Sequence, residues 1–199
     1  MKRIDWARYS ANRVYDHPIS VGLRQKECLR PAQIQSEVWV ETYDIDVLLT
    51  CLQMSDQVVL NSIWLDKDRF MACKHHLHRH RTVVVPYDRT AEMDWAACLH
   101  HMLGWFDEAG IPRENLIIDL CIRPAATEQF EVIRERAALA KALSLETMAA
   151  ADNYAHGTVS RKAAFQDAIR FFKSIDVDYV IVSRMLEKYG LGHEIDDSI

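Results

Sequence analysis

Two polar side chains in this sequence directly follow apolar runs that are typical of buried strands. Asp119 ends such a run within GIPRENLIIDLCIRP (residues 110–124), and Asn61 follows VVL. A carboxylate or an amide in this position needs a partner or a ligand, because burying an unpaired polar group is unfavourable. Both are therefore candidate ligand contacts, with a helix cap or a turn residue as the alternative for each. The same relative place on the other predicted strands is taken by Glu41, Thr42, Tyr43, Ser62, Tyr87, Asp88, Arg89, Arg123, Ser183 and Arg184.

The sequence lacks the motifs of two common chemistries. Neither G-x-G-x-x-G nor G-x-x-x-x-G-K-[ST] occurs, and the chain has only 6 glycines. The G-x-S-x-G motif of serine hydrolases is also absent, since Ser62 lies between Asn61 and Ile63. Nucleotide binding through a glycine-rich loop and hydrolysis by a nucleophilic serine are therefore disfavoured.

A histidine-rich segment, KHHLHRHR (residues 74–81), is the other candidate for chemistry. His76 and His80 have the i, i+4 spacing of two zinc ligands on one helical face. No nearby carboxylate or cysteine supplies an evident third ligand, so we predict no metal site. We interpret the segment as a solvated basic face, with contact to a polyanion or a nucleic acid as the alternative.

Strand-like and helix-like patterns alternate from residue 35 onward. Strands are predicted at residues 35–43, 58–63 and 82–87, in the apolar run that ends near Asp119, and at 177–183. Helices are predicted after Asp44, across Phe70, Cys73 and Leu77, and at residues 90–109, 127–143 and 163–175, with Gly110 as a left-handed C-terminal cap. Residues 152–162 are predicted to form a turn with a short strand.

This alternation predicts an α/β fold with parallel strands, in which ligands bind at the carboxyl ends of the strands. Periodicity alone does not separate a doubly wound sheet from a barrel. The predicted domain covers residues 35–190. Residues 1–34 are predicted to be weakly structured, with one short helix near residues 6–14, and residues 191–199 to form a mobile tail.

The composition is that of a globular intracellular protein. The 199 residues carry 29 acidic and 24 basic side chains, so a formal net charge of -5 makes nucleic-acid binding an unfavoured reading. The 5 cysteines are widely spaced and odd in number, which fits a reducing compartment better than a disulfide framework. No apolar run is long enough for a signal peptide or a membrane span, and we expect a cytoplasmic protein.

The order VWVETY, VVLNSI, TVVVPYD and AGIPRENLIIDLCIRP resembles the pterin-binding TIM-barrel superfamily. This superfamily includes the dihydropteroate synthases and the methyltetrahydrofolate:corrinoid methyltransferases. The methyltransferase branch is the more similar, and its motif positions match Asn61, Ser62, Gly110, Pro112, Asn115, Leu116, Ile118, Asp119 and Pro124. The similarity covers about residues 37–126 and continues in SRKAAF (residues 160–165), which resembles a segment of the synthase branch.

The resemblance implies a ligand and roles for particular residues. The ligand would be tetrahydrofolate or a related pterin, with a corrinoid on a partner protein as the methyl acceptor. Asp119 would accept hydrogen bonds from the amino and ring N–H groups of the pterin, and Asn61 would contact the ring close to its reactive nitrogen. The resemblance implies these two as catalytic residues, and as further ligand contacts Glu41, Asp88, Arg123, Ser160 and Lys162.

The sequence also departs from the family. Glu41 replaces the usual aspartate and is one methylene longer, and Leu120 replaces the usual proline. A complete barrel needs about 250 residues and eight strands, so we expect an incomplete barrel of about six βα units. Its exposed sheet edge would favour a homo-oligomer. A non-catalytic subunit or scaffold that associates through this edge is the first alternative, and polyanion contact through the histidine-rich segment is the second.

Overall fold

The protein forms a closed barrel of eight parallel strands in the computed structural model, which describes residues 1–125, 130–191 and 195. The strands are β1 (Lys2–Arg8), β2 (Ile19–Gly22), β3 (Val38–Glu41), β4 (Val58–Trp64), β5 (Thr82–Val85), β6 (Leu116–Asp119), β7 (Glu146–Ala150) and β8 (Tyr179–Val182). The helices are α1 (Ile45–Met54), α2 (Lys67–Cys73), α3 (Trp95–Glu108), α4 (Phe130–Ala142), α5 (Ala151–Ala155), α6 (Arg161–Ser174) and α7 (Met185–Lys188). The fold is thus TIM-barrel-like.

The expectation of an incomplete barrel is wrong. Residues 1–34 contribute β1 and β2, and β1 closes the barrel by pairing with β8, where Ile4 lies opposite Ile181. The short helix predicted near residues 6–14 is also wrong, because residues 6–8 belong to β1 and residues 9–14 are not helical. The sheet edge on which the scaffold alternative depended does not exist, since every strand has a neighbour on both sides.

The first two strands were not predicted from the sequence, because no α-helix follows either of them. A 3-10 turn, Pro31–Gln33, is the one helical element between β2 and β3 in this fully described part of the chain. Gln33 holds these irregular connections together: its amide nitrogen donates to the carbonyls of Ser10 and Arg13 at 3.0 and 2.8 Å. Tyr15 is fully buried against the outer face of the strands, where a helix would otherwise lie.

Alternation along each strand separates an interior core from an exterior core. The barrel interior is filled by Ile4, Trp39, Val59, Val83, Ile117, Met148, Tyr179 and Ile181. The strand residues between them face the helices, as Val38 and Val40 of β3 do. The interior is therefore packed with side chains below the carboxyl ends of the strands, as in other barrels of this kind.

An ion-paired network closes the opposite end of the barrel, where the strands begin. Arg81 donates to Glu146 and Glu37, and its guanidinium donates to the Tyr179 hydroxyl at 2.8 Å. Trp39 adds an indole hydrogen bond to Glu37 at 2.7 Å. These groups come from β3, β5, β7 and β8 or from the residue just before the strand, so one arginine links half of the strands.

Aspartates cap the N-termini of three helices. Asp44, Asp66 and Asp94 each accept backbone N–H groups from the first turn of α1, α2 and α3. Such caps satisfy amides that the helix itself leaves without partners. Asp94 also explains why α3 begins at Trp95 rather than at the predicted residue 90. The predicted C-terminal cap of α3 is confirmed, since Gly110 has the left-handed backbone conformation, with φ +68.

Strand β7 was missed because its sequence does not look like a strand. Its residues, ETMAA, lack β-branched side chains apart from Thr147 and favour helices by composition. The segment is nevertheless extended because it pairs with β6 and β8 on both sides. Residues 152–155, predicted as part of a turn, instead belong to α5.

Two further findings concern the C-terminal tail and the described helices. The tail predicted to be mobile, residues 191–199, lies outside the described residues except for Leu191 and Ile195. Among the described helices, none combines the length and the apolar character that crossing a membrane requires.

The buried thiols give a prediction about pH. Burial raises the pKa of Cys51 to about 12 and that of Cys73 to about 11, from an ordinary value of 9.0. Their stabilising contribution is therefore complete below pH 9 and is lost as the pH rises towards these values. At pH 9 we expect iodoacetamide to alkylate the partly exposed Cys28 and Cys121 in the native protein while Cys51 and Cys73 resist. Peptide mass spectrometry measures this, and equal labelling of all four would contradict it.

Replacing Arg81 by methionine tests the network at the closed end. The change leaves Glu146 and Glu37 without their cation, but these side chains are 44% and 31% exposed, so water compensates in part. We expect a loss of about 1–3 kcal/mol in the free energy of unfolding by urea. The matched control is Arg79→Met, which removes a surface pair with Asp56 and costs below about 1 kcal/mol. Equal losses for the two variants would show that the network contributes no more to the free energy of unfolding than an exposed ion pair does.

Candidate functional site

A cavity of about 760 Å³ opens at the carboxyl ends of the strands. Its volume lies within the range of about 300–1,000 Å³ that is usual for small-molecule sites. The cavity is lined by Trp6, Glu41, Thr42, Tyr43, Asn61, Ser62, Trp64, Val85, Tyr87, Arg89, Asp119, Met148, Ala150, Asp152, Asn153, Arg161, Ile181, Ser183 and Met185. Residues from both ends of the chain meet here because β1 and β8 are neighbours.

Asp119 and Asn61, the two principal candidates from the sequence, line this one cavity. Asp119 is the last residue of β6, and Asn61 lies within β4 next to a shift in register. These two strands flank β5, so both residues reach the same mouth of the barrel. One carboxylate oxygen of Asp119 accepts the backbone N–H of Cys121 at 2.7 Å, which fixes the side chain. The Asn61 amide nitrogen lies 3.5 Å from the Ser20 hydroxyl inside the barrel. Both side chains are half-buried.

Glu41 also lines the cavity, at the end of β3. Its Oε2 accepts a hydrogen bond of 2.9 Å from the Trp6 indole, which comes from β1. The longer side chain of a glutamate therefore has a definite partner at this place.

Aromatic side chains form part of the cavity rim. The rings of Tyr43 and Trp64 lie 5.6 Å apart, and Tyr43 is 81% exposed. Behind them lies Arg69, which is only 6% exposed and stacks on Trp64 at 4.1 Å. The Arg69 guanidinium donates to the carbonyls of Ser62 and Thr42 at 2.9 and 2.8 Å. Burial lowers the pKa of Arg69, yet these carbonyls satisfy its charged form, so the residue clamps the ends of β3 and β4 together.

Charges of both signs face the cavity. Arg89 and Arg161 contribute exposed guanidinium groups, and Asp152 adds a third carboxylate to those of Glu41 and Asp119. Asp152 accepts the backbone N–H and the hydroxyl of Ser183, each at 2.7 Å, and so links α5 to the end of β8. A ligand with N–H donors in its buried part and an anionic group at the rim would complement this arrangement.

Four of the predicted ligand contacts lie elsewhere. The residues that line the cavity in the described chain do not include Asp88, Arg123, Ser160 or Lys162. The Asp88 carboxylate instead organises its own loop by accepting the hydroxyl and the N–H of Thr90 and the N–H groups of Glu92 and Met93. These hydrogen bonds lower the pKa of Asp88, and the bond from the Thr90 hydroxyl has the largest effect. Arg123 lies with its guanidinium 6.0 Å from the Tyr87 ring, and Ser160 and Lys162 are exposed.

The histidine-rich segment lies away from the cavity. Only the first part of the predicted helix forms, as α2, and residues 74–80 continue as turns. His80 is buried, with Nδ1 2.9 Å from the Val58 carbonyl, while His75, His78 and Arg79 are exposed. No group of three or more His, Cys, Asp or Glu side chains in the described ranges is arranged to hold a metal ion.

Several cavity residues were not singled out from the sequence: Trp6, Trp64, Asp152, Asn153 and Arg161. Trp6 had a usable signal, because Ile4 and Trp6 alternate with charged residues in KRIDWAR. Asp152 had only a weak one, since it follows the alanine-rich end of β7. Arg161 lies in the quoted SRKAAF segment, but between the two residues that had been assigned to the ligand.

The fold and the cavity define this protein as a parallel α/β barrel with a cavity at the carboxyl ends of its strands, the place where barrels of this kind bind their ligands. No model of a known protein family matches the sequence, and a search of curated proteins also gives no match.

Replacing Arg69 by methionine tests the clamp behind the rim. The variant deprives buried carbonyls of Ser62 and Thr42 of a charged donor. We expect a loss of about 2–4 kcal/mol in the free energy of unfolding. Lys67→Met on the same helix is the control: Lys67 is exposed and contacts the rings of Phe70 and Trp105, worth below about 1 kcal/mol. Chemical denaturation followed by circular dichroism compares them, and a similar loss in both would argue against the clamp.

Proposed function

We propose that the protein binds a reduced pterin, such as tetrahydrofolate or its methyl derivative, in the cavity at the carboxyl ends of the strands. The observation that carries this proposal is that Asp119 and Asn61 line one cavity. These are the two residues for which the sequence resemblance implies the central pterin contacts. The two residues belong to separate strands, β4 and β6.

The proposed role of Asp119 follows from its chemistry. A carboxylate at the end of a buried strand pairs well with a heterocycle that presents an amino group next to a ring N–H, because both groups donate in parallel. The bond from Cys121 N–H to Oδ1 of Asp119 holds the carboxylate at the cavity wall. A pterin edge would donate to this carboxylate in the same plane.

The proposed role of Asn61 concerns the reactive ring nitrogen. An amide has both a donor and an acceptor, so its NH2 group can donate to a neutral ring nitrogen and its oxygen can accept from a protonated one. Methyl transfer from a tertiary amine needs that nitrogen to be protonated, since it must leave as a neutral amine. We assign to Asn61 the orientation of this nitrogen towards the open mouth.

The rim suits the remainder of a folate. Arg89 and Arg161 line the mouth and are exposed, so they complement the carboxylates of a glutamate tail. The aromatic faces of Tyr43 and Trp64 supply apolar surface between the rim and the deeper polar residues. The cavity volume of about 760 Å³ accommodates a ligand of this size.

The reaction that we associate with this site is methyl transfer to an acceptor outside the chain. The resemblance implies a corrinoid carried by a partner protein, and the open mouth at the carboxyl ends is the face such a partner would approach. The prediction of a homo-oligomer depends on an unpaired sheet edge, and the eight described strands leave no such edge. Polyanion binding gains no support from the buried His80.

Calorimetry with 5-methyltetrahydrofolate tests the proposal. We expect wild-type protein to bind and Asp119→Asn to bind about 100-fold more weakly, because an amide replaces one acceptor by a donor. Asn61→Ala should weaken binding about tenfold through the loss of a neutral hydrogen bond.

Asp56→Asn is the matched control, since Asp56 precedes β4 and lies at the opposite end of the barrel from the cavity. It should bind like the wild type. Absence of binding by the wild type would refute the proposed function, whereas equal binding by wild type and Asp119→Asn would refute the role of Asp119 alone.

A further inference from the structure

The carboxylate of Glu41 is held by a side chain from two strands away. Trp6 of β1 donates its indole N–H to Oε2 of Glu41 at 2.9 Å, and both residues line the cavity. Within residues 1–125, 130–191 and 195, this indole is the one hydrogen-bond donor found for the Glu41 carboxylate. The other oxygen, Oε1, belongs to a side chain that is exposed at the mouth.

The intervening strand makes this contact possible. Gly22 of β2 lies opposite Glu41 in the sheet, and Trp6 pairs with Ser20 on the other side of the same strand. A Cβ at Gly22 would come within 3.3 Å of Cζ2 of Trp6, which is closer than ordinary van der Waals contact. The missing side chain therefore lets the indole lie across β2 and reach β3.

The length of the glutamate side chain matches this arrangement. An aspartate at position 41 would withdraw the carboxylate by about one bond length or more, which is enough to break a hydrogen bond of normal length. Glu41 and Trp6 are therefore matched to each other. The carboxylate beyond this extra methylene has a partner that defines where it lies.

We propose that Trp6 is a positioning residue that fixes Glu41 so that Oε1 accepts an N–H group of the bound ligand. This inference rests on the proposed function, and it gives Glu41, for which the resemblance implies a ligand contact, a side chain that fixes its carboxylate. The ligand class that it specifies is a heterocycle with N–H donors on two separate edges. The other charged groups that line the same cavity are Asp119, Asp152, Arg89 and Arg161.

Binding of 5-methyltetrahydrofolate to a set of variants tests the positioning role. Trp6→Phe keeps an aromatic ring but removes the donor, and we expect about tenfold weaker binding. Glu41→Gln and Glu41→Asp should each show a similar loss. The double variant Trp6→Phe/Glu41→Gln should be no weaker than Glu41→Gln alone, because the two residues act through one contact. Trp105→Phe, which changes an indole on α3 outside the cavity, should bind like the wild type.

A spectrum of the unliganded protein separates this inference from the proposed function. The indole N–H signals of ¹⁵N-labelled protein report the hydrogen bond directly, and Trp6→Phe identifies the Trp6 signal. We expect Glu41→Met, which removes both acceptor oxygens, to shift that signal upfield while the signals of the other tryptophans stay in place, which also shows that the variant is folded. An unmoved Trp6 signal would overturn the hydrogen bond, whatever the protein binds.

The remaining outcomes each have a definite meaning. If the Trp6 signal moves and the wild type binds while Trp6→Phe binds equally well, the positioning role is wrong and the proposed function stands. If the wild type does not bind 5-methyltetrahydrofolate, the proposed function fails and the ligand contact through Glu41 fails with it. Weaker binding by Trp6→Phe and Glu41→Gln without additivity supports the inference.

Discussion

Hydrogen bonding between β1 and β8 is the constraint on which the rest of this structure depends. Pairs such as Ile4 with Ile181 join the first and last strands, so no sheet edge is left among the eight strands. Closure encloses the interior core and brings both ends of the chain to one mouth. Trp6 and Ser183 can line the same cavity only because their strands are neighbours. The site would lose one of its walls if the barrel stayed open.

The strands that were predictable from sequence are those whose residue types and connections agree. Strands β3 to β6 consist largely of valine, isoleucine and leucine, and an aspartate-capped helix follows each of β3 and β4. Strands β1 and β2 lacked the signal of a following helix, because irregular segments held by Gln33 replace their helices. Strand β7 is extended although its composition favours a helix, since its neighbours supply the hydrogen bonds on both sides.

The candidate site divides along a similar line. Asn61, Asp119 and Glu41 could be found because each follows an apolar run, and the carboxyl ends of parallel strands converge. Asp88 follows such a run as well, yet its carboxylate is engaged by the amides of its own loop. Sequence position shows that a residue reaches the rim, whereas the direction of its side chain depends on local hydrogen bonds. Contacts across strands, such as that from Trp6 to Glu41, depend on register and cannot be read from local spacing.

The two ends of the barrel use charge in opposite ways. At the closed end, Arg81 neutralises acidic groups from neighbouring strands, and these ion pairs link the strands. At the open end, the carboxylates of Glu41, Asp119 and Asp152 line one cavity together with Arg89 and Arg161, and hydrogen-bond donors add to the compensation of the negative charge. Indole and backbone N–H groups supply part of that compensation. A donor-rich ligand would supply more, and binding to the folded state alone would stabilise it by mass action.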